Sequence, residues 1–113
     1  MARAATTADA FNAVAEQRRR DILDLLAAGE RPVTAIVGEL GLTQPQASKH
    51  LRVLREVGAV VVREDGRQRL YRLDARALKP IHDWVRAYES LWEERFERLD
   101  DVLAGLKAKE EGP

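Results

Sequence analysis

The sequence contains no cysteine, which excludes disulfide bonds, thiol catalysis and thiol-based sensing. It carries only two histidines. There is no run of about 18 apolar residues, so no segment reads as a membrane-spanning helix. The first residues, 1–7, lack the apolar core of a secretory signal and read as a flexible arm. No Gly-rich phosphate loop is present, and no histidine stands beside a serine and a carboxylate in a catalytic pattern. The acidic neighbours Glu93-Glu94 and Asp100-Asp101 would point about 100° apart on a helix, which matches a solvated face. These absences argue against an enzyme. Net charge is absent as well, because 19 Lys+Arg balance 19 Asp+Glu over 113 residues. A chain of this length makes one domain with a modest core, which would gain from burying more surface in a dimer.

What is present concentrates in residues 43–73. Thr43 is a good N-cap, since its hydroxyl can accept an orphan N–H of a first helical turn. Pro45 falls in that first turn, where a missing N–H costs little. Ala47, Leu51 and Leu54 recur at helical spacing and predict a buried stripe, with Gln46, Lys49 and Arg52 facing outward. Gly58 ends the helix. The run Ala59 to Arg63 is rich in β-branched residues, and Arg69 to Leu73 alternates. Glu64-Asp65-Gly66-Arg67 lies between them as a hairpin tip, with Gly66 suited to positive φ. Upstream, Val33, Ile36, Val37 and Leu40 mark one side of a short helix over 32–40, and Gly41-Leu42 turns tightly into Thr43. A helix, a glycine-containing turn and a second, capped helix is the arrangement that lays its second helix in a major groove. The basic hairpin after it adds cations for flanking phosphates.

Divided along the chain, the charge supports this reading. Residues 1–42 hold five basic and six acidic residues, and residues 74–113 hold seven basic and ten acidic. Residues 43–73 hold seven basic (Lys49, Arg52, Arg55, Arg63, Arg67, Arg69, Arg72) against three acidic. The positive excess is confined to the candidate groove reader.

Beyond Pro80, apolar residues fall at Ile81, Val85, Tyr88, Trp92, Phe96, Leu99, Leu103 and Leu106, with Trp84 and Leu91 widening the stripe. The spacing predicts one amphipathic helix of about 40 Å, at about 1.5 Å per residue. Leu78, Ile81 and Val85 are expected in the chain's own core. Phe11 on a first helix around 9–14, with Tyr88, Leu91, Trp92, Phe96 and Leu99, is expected at a contact with a second copy.

Four motifs in order carry a family resemblance: Ala13-Val14-Ala15-Glu16; Arg18-Arg19-Arg20 with Ile22, Leu23, Leu25 and Leu26; Ser48-Lys49-His50-Leu51 with Leu54 and Gly58; and Gly66-Arg67 with Tyr71 and Leu73. Over roughly residues 10–90 the sequence resembles the ArsR/SmtB family of bacterial winged-helix repressors. Gln17 departs from the proline many members carry there. The resemblance implies a homodimer in the bacterial cytoplasm that binds an operator in double-stranded DNA and releases it when an effector arrives. It also implies ligand positions for a metal, and these are poorly kept. Thiolate ligands would fall near Pro32 and Thr34. On the dimer helix Asp74 matches a first ligand, Arg76 replaces the histidine, and the later positions fall near Ala87 and Ser90. One ligand in four is not a site. His82 has no partner ligand.

The fold class expected is mostly α with a small β-hairpin wing: a winged helix-turn-helix, dimeric through its N- and C-terminal helices. Residues 1–7 would be the arm, 8–106 the domain with a dimerisation helix over about 78–106, and 107–113 a disordered tail. Thr43, Gln44, Gln46, Ser48, Lys49 and Arg52 are expected to face the major groove, and Arg63, Arg67 and Arg69 the phosphates or minor groove. No cofactor, no metal and no membrane contact is expected, and the effector is open. Two alternatives stay open as well: a winged helix used for protein–protein contact, or a metal-responsive repressor with a non-standard site.

Overall fold

Helix punctuation sets the order of elements in the computed structural model, which describes residues 9–111. The arm expected over 1–7 lies outside the described residues. Helix α1 spans Ala10–Ala13 and opens on Asp9, whose Oδ1 accepts the Asn12 N–H at 2.7 Å. Helix α2, Gln17–Ala27, places Arg19, Ile22, Leu23 and Leu26 at helical spacing, and all four are buried. Helix α3 is Val33–Leu40. Gly41 ends it at φ +64°, a left-handed conformation that costs glycine little, and Leu42 N–H closes back on the Val37 carbonyl at 3.2 Å. Helix α4, Gln44–Glu56, follows at once. It ends in a Schellman motif, with Gly58 N–H on the Arg55 carbonyl at 3.0 Å and Ala59 N–H on the Leu54 carbonyl at 2.9 Å.

Strands β2, Val60–Asp65, and β3, Gln68–Leu73, form the hairpin expected, in antiparallel register from Val60↔Leu73 to Asp65↔Gln68. A third strand was not expected. Arg31–Pro32, β1, pairs with β3 through Arg31↔Tyr71 and Pro32↔Leu70, so the sheet order is β1-β3-β2. Two residues are too few to show an alternating pattern, and Pro32 is tolerated because β1 is an edge strand. The core lies between the sheet and α2–α4, with Ile22, Ile36, Leu51, Leu54 and Val60 fully buried. Leu78 packs against this core, as expected.

The C-terminal region departs from the single helix expected over about 78–106. A 3₁₀ turn, Ala75–Leu78, leads into α5, Lys79–Arg86, and a separate helix α6, Glu89–Glu111. Between them Ala87 N–H bonds to the Trp84 carbonyl at 3.3 Å and Tyr88 N–H to the Val85 carbonyl at 2.9 Å. Those i→i−3 bonds tighten the chain and end α5 without a glycine or proline. Trp84 and Tyr88 meet edge to face across this turn, ring centroids 5.8 Å apart. Helix also continues through Lys107 to Glu111, where a disordered tail was expected. Lys, Ala and Glu are good helix formers, so no stop signal stands at Lys107; the rest of the expected tail, 112–113, lies outside the described residues.

The chain divides into two compact units between Ile81 and His82. In the second unit Val85 is half-buried, while Trp84, Tyr88, Leu91, Trp92, Phe96 and Leu99 are exposed. No helix among the described residues is long and apolar enough to cross a membrane.

Arg19 is the one buried charged residue among those described, at 6% exposure. Its Nε donates to the Ala13 carbonyl at 2.7 Å, one terminal nitrogen to the Asn12 carbonyl at 2.8 Å, and the other to Glu16 Oε2 at 3.1 Å. The guanidinium thereby satisfies carbonyls at the end of α1 and ties that helix to α2. Arg19→Met, similar in volume but without donors, removes the guanidinium from the Ala13 carbonyl and leaves the Asn12 carbonyl only the Ala15 N–H, 3.2 Å away. A loss of about 2–4 kcal/mol is expected in urea unfolding; an unchanged midpoint would mean that water replaces the guanidinium without cost.

Candidate nucleic-acid interface

Helix α4 has two unlike faces because of where its sequence puts small and branched side chains. Ala47, Leu51 and Leu54 are buried, while Thr43, Gln44, Gln46, Ser48, Lys49 and Arg52 are exposed. Its start is held by a capping box: Thr43 Oγ1 accepts the Gln46 N–H at 3.2 Å, and Gln46 Oε1 accepts the Thr43 N–H at 2.9 Å. Thr43 and Gln46 were expected to face DNA. They do lie on the outer surface, but their oxygens are engaged in the cap. Each oxygen thereby gives one lone pair to the cap, while the Gln46 amide donors and the Thr43 hydroxyl hydrogen are not used in it. His50 sits on the inner side, half-buried, with Nδ1 3.6 Å from Glu16 Oε2. Burial pushes its imidazole below the usual histidine range, while the Glu16 charge opposes that shift.

The wing turns on two residues. Gly66 has φ +64° and no non-glycine among the described residues takes positive φ, so Arg67 completes the sign pattern of a type II′ turn. That tight turn leaves Arg67, Gln68 and Arg69 exposed at the tip. Neither Arg67 nor Arg69 makes an ion pair among the described residues.

Arg63, expected on the same surface, has another partner. Its Nε and one terminal nitrogen bind the two oxygens of Glu30 at 2.9 and 2.8 Å. Hydrogen bonding to Arg63 lowers the Glu30 carboxyl below its ordinary value, and Glu30 raises the Arg63 guanidinium. This planar pair ties β2 to the loop before β1 and engages two of the three guanidinium nitrogens of Arg63. Arg63 was expected to meet DNA as a free cation, and an acidic partner 33 residues away could not be seen from local charge counting. Sequence reasoning also missed Thr34 and Gln68, which line one cleft with Gln44, Ser48, Arg67 and Arg69. The hairpin register was the signal that could have found Gln68, since it places that residue directly after the tip.

The residues present do not fit a metal. Asp74 Oδ1 accepts from Arg76 Nε at 3.0 Å, and Oδ2 from the terminal nitrogen at 2.8 Å, so an internal cation holds both oxygens. Those hydrogen bonds hold the Asp74 carboxyl down at about 2. Ala87 lies in the turn between α5 and α6, Ser90 stands in α6, and neither supplies a good ligand. Among the described residues no group of three or more His, Cys, Asp or Glu is placed to hold a metal ion.

A helix-turn-helix whose second helix presents a bare polar face, followed by a hairpin whose tip arginines make no ion pair among the described residues, defines a winged helix-turn-helix DNA-binding protein. The model for the bacterial regulatory proteins of the arsR family matches residues 16–61. The HTH-type transcriptional regulator Rv2034 of Mycobacterium tuberculosis is 34% identical over 83 residues, covering 69% of this chain and 78% of that protein. The HTH-type regulator Rv0324 of the same organism is 44% identical over 61 residues, 54% of this chain but only 27% of that protein. A solved structure from Mycobacterium bovis, described as a homodimeric winged helix-turn-helix DNA-binding domain, is similar with a TM-score of 0.56. It is 36% identical, and the match covers 69% of this chain and 72% of that one. The chain belongs to the arsR family of bacterial regulatory proteins. It is a sequence-specific DNA-binding transcriptional regulator, not an enzyme.

The wing geometry separates two kinds of arginine. Arg67→Ala and Arg69→Ala should each make the dependence of log affinity on log salt shallower by about one unit. Arg63→Ala should leave that slope unaltered, because its charge is already matched by Glu30. A slope lowered equally by all three variants would show that Arg63 leaves Glu30 on binding.

Proposed function

We propose that the protein is a homodimeric repressor that reads a palindromic operator and needs no metal to do so. The observation that carries this reading is the pairing of one bare recognition helix with one bare apolar helix. A single α4 covers one half-site only, and specific sites of this class are read by two such helices about one helical turn, roughly 34 Å, apart. Helix α6 offers the means of bringing a second copy. Trp92 is 45% and Phe96 61% exposed, and Tyr88, Leu91 and Leu99 continue the same apolar surface. Side chains of this size gain about 1.5–3 kcal/mol each when fully buried, and a twofold contact buries each of them twice. Phe11, 44% exposed on α1, is a candidate for the same interface.

In the complex, Gln44, Ser48, Lys49 and Arg52 face base edges in the major groove, with Thr43 and Gln46 beside them at the capped start of the helix. Gln44 suits adenine N6/N7 and Lys49 suits guanine O6/N7. Arg67 and Arg69 meet phosphate or the minor groove. Repression by occupancy of a promoter requires no surface beyond these, and its site of action is the bacterial cytoplasm, where the DNA is. A metal effector would have to displace Arg76 from Asp74 and recruit ligands from outside this set. The helical region over about 78–106 serves as the dimerisation part, and the region before it as the DNA-reading part. A wing used to bind protein is disfavoured by the two uncompensated arginines at its tip.

Two experiments test the proposal. Lys49→Ala or Gln44→Ala should cost about 1–3 kcal/mol on the operator and relax discrimination at one base position per half-site. Parent-like binding to both operator and random duplex would remove α4 from base readout. Trp92→Asp places a carboxylate in the apolar contact at a cost of several kcal/mol, roughly the upper part of the range for burying an unpaired polar group. Sedimentation should then report monomer, and operator affinity should fall towards the non-specific level with every DNA-facing side chain intact. A Trp92→Asp protein that stays dimeric with full affinity would place the interface elsewhere.

A further inference from the structure

The wing tip and the start of α4 stand on two sides of an open cleft of about 350 Å³, and the start of α3 lines it as well. That is on the order of ten water volumes, ample for a phosphate group. Its polar lining comes from three separate segments: Thr34 from α3, Gln44 and Ser48 from α4, and Arg67, Gln68 and Arg69 from the wing. All six side chains are exposed. The lining contains two guanidinium groups, three hydroxyls (that of the buried Tyr71 included) and two amides, and no carboxylate. Such a set can donate many hydrogen bonds and suits an anion. Pro32, ahead of α3, gives the first turn of that helix no side-chain cap, so its start adds positive potential to the same wall.

Duplex geometry says which anion. If α4 occupies a major groove and the wing tip reaches the neighbouring minor groove, the space between them must admit what separates those grooves. In a duplex that is a sugar–phosphate strand. We infer that this cleft clasps one phosphodiester group in each half-site, with Thr34 and Gln68 as hydrogen-bond donors alongside Arg67 and Arg69. The inference rests on the DNA-reading role of α4 and the wing. It assigns Thr34, on a helix outside the recognition helix, and Gln68, an uncharged wing residue, to the DNA interface. Their part is to set register: a strand seated between α3, α4 and the wing fixes how deeply Gln44 and Lys49 enter the groove, without reading sequence itself.

The test is a scan of an operator duplex, recovered from random sequence by binding, with single neutral methylphosphonate linkages. One linkage per half-site should weaken the parent about tenfold, the scale of a lost charge-assisted hydrogen bond. Thr34→Ala and Gln68→Ala should each weaken binding about three- to tenfold on every duplex while leaving base preference unchanged. The double variant should be less sensitive than the parent at that one linkage, where Arg67 and Arg69 remain, and unchanged at all others. Both residues are exposed, so circular dichroism and melting should match the parent. A double variant that binds as the parent does, or stays fully sensitive at every linkage, overturns the inference but leaves the DNA-reading role standing. A parent protein with no preference among duplexes overturns that role and this inference together.

Discussion

The inner edge of α4 is the constraint on which the rest depends. Ala47, Leu51 and Leu54 are at most 2% exposed and meet α2, α3 and the sheet at once. Burying Leu51 and Leu54 contributes roughly 1.5–3 kcal/mol apiece, and their fixed position dictates which way the other side of the helix looks. A helix rotated by one residue, about 100°, would bury Ser48 or Arg52 without partners. The polar face is thus held outward by the cost of turning it in. The capping box at Thr43 and Gln46 and the Schellman bonds at Gly58 and Ala59 fix where that helix begins and ends.

Electrostatics then sort the arginines by partner rather than by number. Arg19 is spent inside, closing α1 onto α2. Arg63 is matched by Glu30, and Arg76 by Asp74. What remains without an ion pair at the tip is Arg67 and Arg69, next to the polar face of α4. A chain of zero formal charge therefore presents a cationic surface at one place. Net charge says little about such a protein; the distribution of uncompensated charge says a great deal.

How much of this was legible in the sequence follows from the range of each interaction. Local signals were read correctly: Thr43 as a cap, Gly41 and Gly58 as helix ends, Gly66 as the hairpin turn, and the alternation of 69–73 as a strand. Features made by contacts distant in sequence were not. Strand β1 exists only because Arg31 and Pro32 meet Tyr71 and Leu70. Arg63 looks like a free cation until Glu30 is brought beside it. Arg19 looks like one of three surface arginines, yet its neighbours Arg18 and Arg20 are exposed and it alone is buried. The turn at Ala87 and Tyr88 carries no breaker residue, and the apolar period runs through it undisturbed, so a single helix was the natural reading. For the interface, the exposed face of α4 was legible, whereas the roles of Thr34 and Gln68 required the three segments to be seen around one cleft.

The central claim is that two copies of α4, set by a twofold contact through the C-terminal helices, read DNA sequence directly. The most direct measurement is selection of bound duplexes from a random pool at physiological salt, followed by sequencing. The account predicts an enriched inverted repeat whose half-site centres lie about one helical turn apart, roughly 10–10.5 base pairs or a multiple of it. Recovery of a pool with no enriched sequence, or of a single half-site without its inverted partner, would contradict it.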